Sequence, residues 1–224
     1  MRCSWCQQTF ARELSLLEIL WPLRIPSSEK CATCSDKFLP VDSASCCKTC
    51  CQPSQECRDC LYWQQRYPDF QLIHRALMVY NQGMQEWLHQ YKRIGDYRLR
   101  ETFASEIKQA FQEMTYDVVI PIPLSQKRYQ QRGFNQVEGL LQAAGINYRP
   151  WLKKNRHLPP QAGLTREERL AVPQPFVFNG QEEIKGKRIL LVDDVYTTGQ
   201  TLHHAAAALF AYQPSRIASF SLAR

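Results

Sequence analysis

The chain has 224 residues, a hydrophobic fraction of 44% and an aromatic fraction of 11%, which suits a globular domain of about 150 residues with an appendage. No run of about 18 apolar residues occurs, so a membrane span is not expected, and the first residues lack the apolar stretch of a secretory signal, so a cytoplasmic protein is. The net charge of +7 is unevenly placed: residues 92–169 carry fourteen Lys and Arg against eight Asp and Glu, whereas residues 1–91 carry nine of each, which points to a polyanionic partner such as a pyrophosphate group or a nucleic-acid backbone, or else to a solvated basic face.

All ten cysteines lie between Cys3 and Cys60. Eight form Cys-x-x-Cys pairs, Cys3 with Cys6, Cys31 with Cys34, Cys47 with Cys50 and Cys57 with Cys60, leaving Cys46 and Cys51 beside the third pair. Without a secretory signal such pairs read as zinc ligands in preference to disulfides, because the two-residue spacing lets both thiolates face one tetrahedral ion. Residues 26–60 contain only Phe38, Leu39 and Val41 as large apolar side chains. That is too few to fold the segment by burial, whereas a structural zinc site contributes about 10–16 kcal/mol. Eight ligands imply two zinc ions, with one ion and spare cysteines as the alternative, and spacing does not say whether the pairs combine in sequence or in alternation. A site closed by four cysteines leaves no open coordination position, so the role is structural. The expected organisation is a Cys-rich zinc-binding module over residues 1–66 and a second domain over residues 67–224.

Residues 61–68 read as a polar, aromatic linker in which Pro68 marks the boundary. Residues 73–80 suit a strand better than a helix start, given their length and the turn-like Asn81-Gln82-Gly83 after them, and residues 84–91 then form a helix. Leu99, Phe103, Ile107, Ala110, Phe111 and Met114 recur at steps of three and four, the mark of an amphipathic helix whose apolar stripe is core. Lys92 and Arg93, between the helices, either reach a phosphate or lie in a solvated loop. The five histidines show no ligand-like spacing with the cysteines and receive no role.

Residues 117–124 form a buried strand stopped by prolines. A basic loop with Lys127, Arg128, Arg132 and Gly133 comes next, ahead of a helix at 135–144. Arginine forks match phosphate oxygens two at a time, and open parallel sheets bind ligands at the carboxyl ends of their strands, so this loop suits a diphosphate; a merely exposed basic loop is the plain alternative. Farther on, Ile189, Leu190, Leu191 and Val192 suit a buried parallel strand. Asp193 and Asp194 come next, then Thr197-Thr198-Gly199-Gln200-Thr201, then an alanine- and leucine-rich helix from residue 202. Gly199 lets the backbone approach a ligand, and the amides of residues 197–201 at a helix N-terminus offer donors to a phosphate. Two carboxylates at a strand end accept hydrogen bonds from vicinal sugar hydroxyls. Each half alone has an ordinary reading: the acids as a metal pair or solvated turn, the loop as a helix cap with Thr198 or Thr201 as N-cap. Joined, they describe a ribose 5-phosphate. Residues 217–222 complete the strands, and Lys187 and Arg188 stand at the opposite edge of the sheet as structural residues.

The apolar run, two acids and Thr-Thr-Gly-x-Thr resemble the phosphoribosyl-diphosphate (PRPP) signature of type I phosphoribosyltransferases. With Pro-Ile-Pro-Leu-Ser at 121–125, Arg-x-x-x-Arg-Gly-Phe-Asn-Gln at 128–136 and the four cysteine pairs, the full chain resembles the ComF family of bacterial competence proteins, in its ComFC branch. The resemblance implies an α/β fold, a type I phosphoribosyltransferase-like parallel sheet flanked by helices with an N-terminal zinc module, and action in DNA uptake during natural transformation, beside a ComFA-type ATP-dependent helicase and on single-stranded DNA without sequence preference. It also implies PRPP with Mg as ligand. The 5-phosphate then falls to residues Thr197, Thr198, Gly199, Gln200 and Thr201, the ribose hydroxyls to Asp193 and Asp194 as the catalytic pair, and the diphosphate to Lys127, Arg128 and Arg132. Residues 149–178 fit the flap of such a fold, and Gln161 and Arg169 match the family pattern Gln-x-x-Leu with an Arg five residues on. Val172 stands where the family often has Asn, and Gln200 where a small residue is usual. Both departures argue for binding more than for turnover, unless Gln200 points outward. No nucleobase pocket is legible, which leaves three functions: a PRPP-binding competence factor, a phosphoribosyltransferase on an unidentified acceptor, and a PRPP-sensing regulator whose zinc module docks a protein.

Overall fold

The computed structural model describes residues 1–11, 16–20, 30–53, 57–154, 175–180 and 182–224; Gln161, Arg169 and Val172 of the expected flap lie outside them. In chain order the described elements are α1 (Leu16–Leu20), α2 (Ala32–Ser35), α3 (Arg58–Arg66), β1 (Ile73–Met78), α4 (Gln82–His89) continued by a π-turn (Gln90–Ile94), a 3-10 helix (Tyr97–Phe103) running into α5 (Ala104–Gln112), β2 (Val118–Pro121), α6 (Gln126–Arg132), α7 (Gln136–Ala143), β3 (Leu152–Lys154), β4 (Phe176–Phe178), β5 (Arg188–Val195), α8 (Gln200–Phe210) and β6 (Arg216–Ala223).

Four strands form a parallel sheet in the order β1-β6-β5-β2, and the ends of the expected flap segment pair antiparallel as β3 and β4. Side chains of the sheet alternate between two cores, as the period of two requires of a doubly covered parallel sheet. Leu190, Val192, Val119, Phe220 and Leu222 face the core under α4, α5 and α7, while Ile189, Leu191, Val118, Ile120 and Ile217 face the core under α8. The ladder of β5 outlasts its apolar residues: Asp193 and Val195 still pair with Ser221 and Ala223 of β6. The acidic pair therefore lies inside the carboxyl end of the strand and not in a loop after it.

Local signals fix the helices. Asn81 accepts a hydrogen bond from the Met84 amide at 3.0 Å, so the turn-like 81–83 is the N-terminal cap of α4. The stripe expected as one helix is divided, because Asp96 caps the Arg98 amide and a 3-10 turn precedes α5. Two expectations are corrected. Residues 61–66 are not a linker but part of α3, whose polar Gln64, Gln65 and Arg66 face solvent while Trp63 is buried against His203, ring centroids 4.5 Å apart. The basic loop after β2 is the helix α6: Ser125 caps its first turn, Gly133 ends it at φ 82°, and nothing between them is Gly, Pro or β-branched.

The cysteine-rich segment straddles the edge of the sheet at β1. Val41 donates to the Leu77 carbonyl at 2.9 Å and Val79 to the Leu39 carbonyl at 2.7 Å, with Pro40 opposite Met78. On one side of this crossing Trp5 and Phe38 join the core under α4, and on the other Cys47, Cys50 and Cys57 join the core under α8. Residues 1–66, expected as a module, thus share both cores with the strands and helices of residues 67–224.

Candidate functional site

Asp193 and Asp194, both buried, end β5. The Asp194 amide donates to Asp193 Oδ1 at 2.9 Å, and Lys92 Nζ lies 2.7 Å from Asp194 Oδ1. Burial, reinforced by the neighbouring Asp194, pushes the Asp193 carboxyl up to about 7 against the pull of Lys92 and Lys154. Asp194 Oδ2 is buried and has no hydrogen-bond partner among the described residues. Lys92 reaches the pair because the chain leaves α4 through a π-turn ended by Gly95 at φ 81°, with the Tyr91 hydroxyl anchored on the Gln136 carbonyl at 2.9 Å. Lys92 thus meets the acidic pair directly, a contact that neither sequence reading, the phosphate or the solvated loop, described.

Residues 196–199 bridge β5 and α8, with Gly199 at the N-cap. Gly199 is required twice over: its φ is +78°, and an added Cβ would lie 2.2 Å from the Tyr196 hydroxyl. Among the described residues no side chain caps α8, so neither Thr198 nor Thr201 is the capping residue and the first-turn amides are left as donors there. Gln200 does not point outward: its side-chain nitrogen is buried and has no partner among the described residues. Beneath the loop Trp63 Nε1 donates to the Thr198 carbonyl at 2.7 Å, and Arg224 donates to the carbonyls of Tyr196, at 3.3 Å, and Thr197.

The cations approach from α6 and β3. Arg132 is held by the Lys92 carbonyl at 3.0 Å and by Gln136 Oε1. Burial lowers its proton affinity and Asp194 raises it. Lys127 and Arg128 stand exposed on the first turn of α6. Lys154, in β3, is pushed down by burial and by Arg128 and drawn up by Asp193, which brings it into the same electrostatic group. The structure thus assembles Asp193, Asp194, the loop, Arg132, Lys92 and Lys154, with Lys127 and Arg128 on the rim. Lys92 was legible as a basic residue with a phosphate or solvent as its expected neighbour, and Lys154 only as one basic residue of the expected flap; Trp63, Tyr196 and Arg224 carried no sequence signal.

The cysteine pairs combine in sequence: Cys3, Cys6, Cys31 and Cys34 form one group and Cys47, Cys50, Cys57 and Cys60 another, each with its sulfurs within 4.8 Å of one another. Sulfur separations are 3.8 Å for Cys6–Cys31 and Cys47–Cys60 and 3.4 Å for Cys50–Cys57, close to the edge of about 3.8 Å of a tetrahedron with zinc–sulfur bonds of about 2.3 Å. The donor set therefore fits two structural zinc ions. Burial opposes ionisation of Cys3, yet the amides of Cys31, Cys6 and Trp5 hold it down to about 6. Cys60, Arg224 and nearby donors hold Cys50 down to about 5 against burial. Their neighbours are pushed up in exchange, Cys34 by burial and Cys60 by Cys50, so the zinc reading rests on the clustering of the sulfurs, and a bound metal would draw all four into the thiolate form. Cys46 and Cys51 belong to neither group, and Cys51 Sγ donates to the His74 carbonyl at 3.3 Å.

Residues 102–224 match the model of the phosphoribosyl transferase domain. Across its whole length the chain is 36% identical, over 226 residues, to competence protein ComFC of Streptococcus pneumoniae, covering 100% of both. It is 30% identical, over 232 residues, to competence protein ComFC of Bacillus subtilis, covering 99% of this chain and 94% of that one. A glutamine PRPP amidotransferase from B. subtilis aligns over 57% of this chain and 26% of its own, with 21% identity and a TM-score of 0.37.

Proposed function

Since this chain belongs to the ComFC family of competence proteins and carries a phosphoribosyl transferase domain, we propose that it serves DNA uptake by binding PRPP and assisting the handling of single-stranded DNA beside a ComFA-type helicase. One observation carries the ligand: a buried acidic pair and an uncapped, glycine-opened helix N-terminus lie at the end of one strand, faced by Lys92, Lys154 and Arg132. A single molecule with a phosphate, a diol and a diphosphate uses all three groups.

The amides of residues 197–201 receive the 5-phosphate, the carboxylates of Asp193 and Asp194 the ribose hydroxyls, and Arg132, with Lys127 and Arg128 at the rim, the diphosphate. Asp194 Oδ2, without a partner among the described residues, would be a hard oxygen ligand for Mg²⁺, which would supply charge neutralisation at the diphosphate. Lys92 shares Asp194 with the ribose. The basic, exposed face of α6, with Lys127, Arg128 and Tyr129, supports a single strand nearby.

Calorimetric titration of the zinc-loaded protein with Mg and PRPP tests the reading. Saturable binding is expected, and Asp193→Asn with Asp194→Asn should abolish it; unchanged affinity in that variant sinks the ligand assignment. If transformation persists in cells carrying the variant, the DNA role does not use the site. The second reading, turnover, is supported by the carboxylates' position to stabilise positive charge left on the ring as diphosphate departs. Diphosphate release with candidate acceptors measures it.

A further inference from the structure

Arg224 and Trp63 join the second cysteine group to the loop proposed to hold the 5-phosphate. The Arg224 side chain is 5% exposed. One guanidinium nitrogen donates to the carbonyls of Tyr196 and Thr197, and the other donates to Cys50 Sγ at 3.2 Å and to Gln52 Oε1, with Asp59 Oδ2 3.8 Å away. The plane lies 4.3 Å from the centre of the Tyr196 ring. The Arg224 backbone is pinned as well, donating to the Met78 carbonyl at 3.0 Å and accepting from the Tyr80 amide at 2.7 Å. Trp63 stands on α3, which begins immediately after Cys57 and carries Cys60. Its indole N–H takes the Thr198 carbonyl.

These contacts fix three consecutive peptide planes. In a planar trans peptide the carbonyl and the following N–H point in opposite directions. Drawing the carbonyls of residues 196, 197 and 198 down toward Arg224 and Trp63 therefore turns the amides of Thr197, Thr198 and Gly199 away from the protein, toward the side where an anion would sit. A sulfur bearing negative charge strengthens its hydrogen bond to the guanidinium, so the thiolate form of Cys50 that a metal takes is also the form that holds Arg224.

We propose that Arg224 and Trp63 are positioning residues that tether the phosphate-loop carbonyls to the second cysteine group and so preset its amides for an anionic ligand. This rests on the PRPP reading above. The test uses the full-length zinc-loaded protein, with zinc content and PRPP affinity measured on each variant. Trp63→Phe keeps a ring against His203 but loses the N–H; Arg224→Gln loses the fork, and Arg224→Lys keeps the charge alone. Expected are two zinc ions per chain in Trp63→Phe and PRPP affinity about tenfold weaker, a loss at least as large in Arg224→Gln, and an intermediate value in Arg224→Lys. Wild-type affinity in Trp63→Phe and in a zinc-replete Arg224 variant overturns the tether. Should Arg224→Gln lose zinc, Trp63→Phe alone decides. Failure of the wild-type chain to bind PRPP removes the parent reading instead, a result distinguishable from equal affinities.

Discussion

Asp193 is the residue whose chemistry depends most on its surroundings. Its native carboxyl titrates near 7, above the unfolded value of 3.8, so the native state holds the extra proton between these limits. Stability from this group is present below about pH 4 and is lost as pH rises through 7. Asp193→Asn should therefore raise the melting temperature at pH 8, with the gain shrinking toward pH 5. PRPP affinity should increase from pH 6 to pH 8 in the wild type, as the carboxyl becomes a full acceptor, and this increase should be smaller in Asp193→Asn, where only the ligand's own ionisation remains. A variant that melts lower than wild type at pH 8 contradicts the first expectation. At this scale the acids and the glycine were legible because they stand together in sequence. Lys92 was half legible, a basic residue at a helix end whose direction depends on a π-turn. Arg224 was not legible at all, since its partners come from residues 50–59 and 196–197 and no local pattern marks a long-range contact.

At the scale of elements, the β5–loop–α8 unit works through one backbone angle. Gly199→Ala forces a side chain into positive φ and onto the Tyr196 hydroxyl, which should cost about 1–3 kcal/mol by thermal unfolding and disturb the loop amides enough to weaken PRPP binding at least tenfold. Near-wild-type values for both would show that the loop relaxes freely. The strands β2 and β5 were readable from short apolar runs, because a strand buried on both faces is largely apolar, whereas β1, which carries His74 and Arg75, was readable from its length and the turn residues after it. The helices α3 and α6 escape such a reading for the opposite reason. Each is short and largely polar, with one buried aromatic residue or none, so no apolar period announces it; Ser125 and Gly133 bound α6, and α3 lacks even a side-chain cap.

For the whole molecule, metal comes first. A structural zinc site is worth about 10–16 kcal/mol, comparable with or above the roughly 5–15 kcal/mol net stability of a typical domain, and three cysteines of the second group lie in the core under α8. Metal analysis should give two zinc ions per chain, Cys34→Ser should reduce this to about one, and a strong chelator should melt the sheet together with the cysteine segment; a chelated chain with an unaltered melting transition would refute the shared core. Single-strand binding should fall steeply with salt, given the excess of Lys and Arg in residues 92–169; a flat dependence removes the polyanionic partner. The crossing of residues 39–41 over β1 bears also on the order in which the chain takes shape. Among the described residues the strand that β1 pairs with in the sheet is β6, which is synthesised some 140 residues later, and pairings so distant in sequence form slowly. The backbone at Leu39 and Val41 is already made when β1 emerges and hydrogen-bonds its other edge. The cysteine segment is thus a built-in guard for an unfinished strand, and zinc-loaded chains should refold with less aggregation than chains reloaded only afterwards, as light scattering during dilution from denaturant would record.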